Sequence, residues 1–414
     1  MRRGSATVLF LAVFLDLLGF GVVLPLLPLY AKEFATNAWV RESGLPVGLL
    51  VGLVLSSFSA MQFVFAPLWG RLSDRVGRRP VLLIGLGSSV VFYALFGLAT
   101  TWKSIAWLLI SRVGAGIAGA TIPVAHAYVA DTTLDEERAG GMALIGTAFG
   151  LGFTFGPLLG LLALPGNGGG AGPGPGFAAA ALSALALVLA YLRLPESLQP
   201  DAAIERRATR HLGSLAGGAA APVLALLLFA SFLCAFAFSN FEATLSLLVK
   251  DEAGGFAFDF RELCLTFAFL GFVSAAVQGG VVRRVSVRVA ERRLVVVGAL
   301  VEVAGFLLLA YAGERGSSWL LFAALPVLVT GFAFLTPSLN ALISRHADPA
   351  QQGAVMGVTQ GFAALARILG PLAGIPLFLH VGTTSALWLG VACVALGLVA
   401  VGAARSKTGV DLRP

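Results

Sequence analysis

Charge is what this sequence has least of. Only 12% of its 414 residues are Asp, Glu, Lys or Arg, 58% are hydrophobic, and the mean hydropathy is +0.91. A water-soluble chain needs far more charge on its surface, so a soluble fold is excluded. Cysteine is scarce too. Cys234, Cys264 and Cys393 are odd in number and lie in or beside apolar segments, which argues against a disulfide framework. No Cys and His cluster has metal-ligand spacing, so no metal is expected. No GxxxxGK[ST] loop is present, which removes nucleotide hydrolysis. The expectation is a protein without a cofactor and without enzymatic activity.

One stretch argues the other way at first. SRVGAGIAGA, Ser111–Ala120, sets Gly114, Gly116 and Gly119 in G-x-G-x-x-G order, and Glu136 and Glu137 follow at roughly the ribose-binding distance. Its surroundings exclude a dinucleotide loop. From Ser104 to Ala130 the one charge fixed at neutral pH is Arg112. Such a run crosses a hydrocarbon core of about 30 Å at about 1.5 Å per residue.

Long apolar runs of this kind recur along the whole chain. About twelve spans can be counted, at roughly 8–31, 45–68, 80–101, 104–130, 141–163, 176–193, 222–248, 262–282, 294–312, 318–343, 353–378 and 382–403. The first has basic residues before an apolar core, as a signal peptide does. But Asp16 interrupts the core and no clear cleavage site follows, so it is read as a retained span. The expected architecture is all-α, with a six-helix bundle over 1–193, a linker over 194–221 and a second bundle over 222–414. FGPLLG in span five and ILGPLAG in span eleven, with a basic loop after spans two and eight, hint at related halves around a central site.

Basic residues set the orientation. Placing both termini in the cytoplasm puts about 20 of the 28 Lys and Arg on that side. The net charge of +7 is then explained by insertion into the inner (plasma) membrane, and nucleic acid is not an expected partner. The expected partners are a small-molecule substrate, protons and lipid, with the chain acting as a monomer.

Four sets of residues carry chemistry. In GRLSDRVGRR, Gly70–Arg79, Asp74 is the one acid beside Arg71, Arg75, Arg78 and Arg79. Gly70 and Gly77 allow a tight turn and close helix approach. Asp131, at the same end of span four, is a candidate partner for Arg78; a bare topology signal would need no aspartate. In span five Gly152, Gly156 and Gly160 recur every fourth residue beside Pro157, so two backbones can approach there. Charges inside spans are Asp16, Arg112, Glu242, Glu302 and Arg367, each costing a few kcal/mol unless it faces protein or water. Glu302 lacks nearby polar companions, and His126 is close enough to a span end to be solvated. Polar stripes join some of these charges: Ser56, Ser59 and Gln62; Ser239, Glu242 and Ser246; Gln360 and Arg367. They read as substrate-cavity lining or as interhelical hydrogen bonding.

Arg112, Gly116, Gly119 and Pro123 share a stripe of span four. That stripe predicts close approach to span one, where Asp16 lies at a height within an arginine's reach. Pairing favours the ionised acid and burial the neutral one, so the pair, with Glu242 as the next candidate, is the expected proton-coupling site.

Position for position, Gly70–Arg79 resembles the G-x-L-[A/S]-D-[R/K]-x-G-[R/K]-[R/K] loop of the major facilitator superfamily. RVGAGIAGA resembles its fourth-span motif and GFTFGPLLG the fifth-span motif of its antiporter branch. FLDLLGFGVVLPLLPLY and SRHADPAQQGAVMGVTQ resemble the tetracycline and drug:proton antiporter group. The resemblance implies two six-helix halves and a cytoplasmic latch made by Asp74, Arg75, Arg78 and Asp131. It also implies a sealed fifth-span contact that prevents leak, and export of small organic molecules against protons by alternating access. A proton-coupled importer of a sugar or organic acid, or a receptor that kept the fold without transport, are the alternatives.

Overall fold

A computed structural model describes residues 3–35, 45–132, 138–163, 172–198, 221–250, 256–286, 288–346 and 352–408. Most of the expected linker, the glycine-rich run after span five and the segment before span eleven lie outside these residues.

Among the described residues every regular element is a helix. In chain order they are α1 (Arg3–Val23), α2 (Leu27–Ala35), α3 (Val47–Val76), α4 (Arg78–Thr101), α5 (Ile105–Gly119), α6 (Ile122–Thr132), α7 (Arg138–Ala163) and α8 (Gly174–Arg193). Then come α9 (Ala221–Val249), α10 (Phe260–Ala276, continued by a π-helical stretch Val277–Val282 and a short turn of helix Arg283–Val285), α11 (Glu291–Arg315), α12 (Ser318–His346), α13 (Gln352–His380) and α14 (Ser385–Thr408). Among the described residues 10 helices can cross a membrane by length and composition, or 11 if α1 and α2, bent by 43°, form one span; Thr147–Ala163 is a shorter apolar helix.

The chain divides into two units. One is Met1–Leu45, Leu53–Arg210 and Asp259–Gly271; the other is Pro46–Gly52, His211–Phe258 and Phe272–Pro414. Two segments thus cross the division expected from sequence, and glycine explains both. A Cβ at Gly52 would sit 3.1 Å from the Pro371 carbonyl oxygen, and one at Gly271 would sit 2.7 Å from Thr154 Cα. Backbones that close travel together.

In the first unit α1 lies against α7 and α8, and α4 against α5 and α8. Leu9, Val81, Leu86, Val124 and Ala186 form the core near the Gly70–Arg79 loop. Span four breaks between α5 and α6. Pro123 has no N–H to give the Gly119 carbonyl one turn back, so that acceptor is orphaned. The side chain of Gln62 donates to it at 3.1 Å, and Trp69 Nε1 donates to the Ile117 carbonyl at 2.8 Å. The break is therefore capped from α3.

In the second unit α11 packs along α12, and α9 packs on α13 and α14. Glycine sets the first contact: a Cβ on Gly305 would overlap the Leu328 backbone. Gly305→Ala is expected to lower stability by about 1–3 kcal/mol, the usual cost of overpacking. A lowered Tm in detergent checks it. Gly402, with open space where its Cβ would be, is the control, and Gly402→Ala should leave Tm unchanged.

Candidate functional site

The first unit holds a short polar chain in its apolar interior. Asp16 of α1 accepts a hydrogen bond from Ser183 Oγ of α8 at 2.9 Å, and Ser89 of α4 faces the same carboxyl. Tyr93, one turn further along α4, is near enough to interact electrostatically with both Asp16 and Arg112. Arg112 is only 2% exposed. Its guanidinium carbon lies 4.6 Å from the Phe58 ring centre and 5.9 Å from that of Phe20, and Nε and Nη1 have no hydrogen-bond partner.

The direct ion pair expected between Asp16 and Arg112 is not formed: Tyr93 stands between them. The guanidinium packs instead on the aromatic rings of Phe58 and Phe20. The small residues beside Arg112 also serve another neighbour. A Cβ at Gly116 would lie 2.5 Å from the Phe58 carbonyl oxygen, and one at Gly119 3.2 Å from the Phe58 ring. The close approach is to α3, in span two, rather than to span one.

Span one meets the fifth-span glycines instead. A Cβ on Gly156 would lie 2.5 Å from Gly21 Cα, one on Gly152 3.0 Å from Leu17 Cβ, and one on Gly160 3.0 Å from the Val22 carbonyl oxygen. Pro157 is carried inside an unbroken α7. Leu17 on this seam and Asp16 are adjacent in sequence but point to different faces of α1, Leu17 toward α7 and the Asp16 carboxyl toward Ser183 of α8.

At the loop end, Arg78 is 2% exposed. Its Nη1 meets Asp74 Oδ1 and Ser73 Oγ, both at 2.6 Å, and its Nε meets Asp131 Oδ2 at 3.1 Å. Arg75 is exposed. Gly77 has φ +105°, and a side chain there would also strike Glu196. Gly70 makes no close approach: it lies inside α3 with open space where its Cβ would be. Sequence reasoning missed Glu196. Its carboxylate accepts the backbone N–H groups of Arg78 at 2.8 Å, Arg79 at 3.1 Å, Ser197 at 2.9 Å and Leu198 at 3.0 Å. A carboxylate at the N-terminus of α4 satisfies orphan donors and opposes the helix dipole. The sequence signal was an acid directly after span six, in LPESLQP.

Among the cavity candidates, Ser59 is buried and Gln62 is committed to the Gly119 carbonyl. In the second unit Ser246 is fully buried and Ser239 packs at Gly370, so that face is closed at both serines. Glu242 of α9 is half-buried and interacts electrostatically with Arg367 of α13; Arg367 and Gln360 are exposed. Glu302 is fully buried with neither oxygen hydrogen-bonded. The three cysteines are buried free thiols, and among the described residues no group of side chains can hold a metal.

The Arg78 cluster ranks its two acids. Asp131 is 8% exposed and Asp74 54%. Asp131→Asn should cost about 1.5–3 kcal/mol, as for a hydrogen bond to a charged group. Asp74→Asn should cost less than about 1 kcal/mol, being an exposed pair. Thermal unfolding of the two purified variants checks the order; equal losses would refute it.

The Major Facilitator Superfamily pattern matches residues 9–371. The mouse major facilitator superfamily domain-containing protein 10 is 32% identical over 91% of this chain and 88% of its own. The class E tetracycline resistance protein of Escherichia coli is 32% identical over 87% of this chain and 84% of its own. The crystal structure of the human organic anion transporter MFSD10 superposes with TM-score 0.70 at 30% identity, over 96% of this chain and 99% of that one. A bacterial homologue of the human lysosomal transporter Spinster gives TM-score 0.76 at 15% identity, a likeness of fold alone. Agreement over nearly the whole length, with polar groups buried inside spans rather than around a reactive centre, leaves one assignment: this chain belongs to the Major Facilitator Superfamily and is a multi-pass membrane transporter, not an enzyme.

Proposed function

We propose that the chain exports small, partly apolar organic molecules across the plasma membrane in exchange for protons, with both termini in the cytoplasm. The observation that carries this reading is Asp16, an acid inside a membrane bundle, held by Ser183 and linked through Tyr93 to a guanidinium with unpartnered N–H groups. The acid can exchange a proton with the aqueous phases, and its charge can then be met by Arg112. That exchange alters the forces between α1, α4 and α5. The Gly152–Gly160 seam fixes α7 against the same stretch of α1, so a change at Asp16 is mechanically connected to span five. The Arg78 cluster acts as the cytoplasmic gate, closed while Asp74 and Asp131 hold the arginine. Relatives that confer tetracycline resistance support export.

A second reading is transport of an organic acid. It is favoured by the unpartnered Arg112 and by the organic anion named for the human neighbour. Everted vesicles separate the two: export gives drug-induced proton release, and symport of an acid gives proton flux of the opposite sign.

Asp16→Asn is expected to abolish proton-driven export while the protein still folds and binds substrate. Substrate binding should also lose its pH dependence, measured on purified protein across about pH 5 to 8, where perturbed carboxyls titrate. Survival of that dependence would transfer the role to Glu242. Independently, Glu242→Gln should weaken export of cationic substrates relative to neutral ones, by a factor in the roughly 5- to 150-fold range of site coupling. Equal loss for both would assign Glu242 a structural role.

A further inference from the structure

Asp16 is only partly buried, although it lies inside the first unit. A cavity of about 20 Å³ lies against it, walled by α1, α4, the α5–α6 break and α8. Thr121 and Ala125 form one wall, and Leu9, Leu82 and Leu194 are also among its lining residues. Leu9 is about 10 Å from Asp16 along α1, at about 1.5 Å per residue. Leu82 is one turn into α4 and Leu194 caps α8, so the cavity extends from the acid toward the end that bears the Gly70–Arg79 loop.

Space and polarity both point to one occupant. A water needs about 10–15 Å³ of such space and at least two polar partners. Here Asp16 and Thr121 are the two residues with polar side chains among those that line the space. Thr121 lies in the turn where span four breaks between α5 and α6, and its hydroxyl donates back to the Ala118 carbonyl at 3.4 Å, which leaves its oxygen able to accept. Alanines at 12, 125 and 190 keep the space open.

We infer that this cavity is a water site through which Asp16 exchanges its proton with the loop-bearing side, inside one helix bundle and apart from the substrate's path. The inference rests on the reading of Asp16 as the coupling acid. In the transfer, the carboxyl O–H bond breaks as an O–H bond to the water forms. The excess proton leaves that water for bulk solvent past the collar of Leu9, Leu82 and Leu194, and the carboxylate stays behind. Tyr93 and, through it, Arg112 are the titratable and charged groups that face this acid. A separate route lets a proton depart on the side from which substrate enters without the two sharing a path.

The test uses the full chain reconstituted in liposomes, with Thr121→Val removing the second polar partner and Ala125→Val filling the space. Both are expected to slow proton-driven export roughly tenfold or more, the usual scale for a lost proton-transfer group. Drug–drug counterflow, which needs no net proton transfer, should stay near wild type. Wild-type proton-driven rates in both variants would overturn the route. If Ala125→Val also loses counterflow, the near-isosteric Thr121→Val decides. Leu194→Ser gives an independent reading: opening the collar should raise substrate-free proton conductance, and an unchanged conductance counts against the proposal. Asp16→Asn separates the two claims. If it alone uncouples export, the route is wrong and the acid right; if it too remains coupled, the reading of Asp16 itself has failed.

Discussion

A charge inside hydrocarbon must be met by protein or water, and the first unit is arranged around that constraint. Arg112 is the extreme case, almost wholly buried with two nitrogens unpartnered. It is held by the faces of Phe58 and Phe20, with Tyr93 close enough to interact electrostatically. Cation–π contacts of this kind are worth about 0.5–2 kcal/mol, less than a buried carboxylate would supply. The arginine is therefore tolerated rather than satisfied, and a negative charge arriving at Asp16 has somewhere to be attracted. The serines and the tyrosine around the acid keep it polar enough to charge and dry enough for the charge to matter.

Glycine decides which helices share that charge. The seam of Gly152, Gly156 and Gly160 holds α7 on α1, while Gly116 and Gly119 hold α5 on α3. Both contacts bring backbones together at van der Waals distance, where dispersion is strong and side-chain entropy is not lost. With no side chain between the backbones, neither contact has a side chain that could absorb a shift of one helix against the other.

The sequence displayed faces well and neighbours poorly. Periodicity put Arg112, Gly116 and Gly119 on one stripe, but a stripe does not say which helix it meets, and α3 rather than α1 lies against it. Gln62 looked like a cavity residue because nothing in a linear reading shows that Pro123, far along the chain, orphans a carbonyl beside it. Arg78 with Asp131 was legible: each is a charge at a span end on the same side, so few partners were available. Glu196 was legible only as an acid directly after span six; that it binds the backbone N–H groups at the start of α4 was not, since those donors have no residue type of their own. Glu302 stood without polar companions in the sequence and stands so in the fold.

The two units close their loop ends by unequal means. In the first, a buried arginine is gripped by two acids and a serine, with Glu196 locking the helix start beneath it. In the second, where the loop lacks a matching aspartate, Arg345 at the end of α12 pairs with Glu291 at the start of α11 at 2.5 Å, and the arginine side chain is 63% exposed. A surface pair is worth about 0–1 kcal/mol and weakens with salt; a desolvated, hydrogen-bonded one resists both water and ions. Loss of the second contact then costs little, whereas separating Arg78 from its acids requires it to be rehydrated. On the function proposed above, the tighter of the two contacts lies in the same unit as Asp16, the acid to which that proposal assigns the proton.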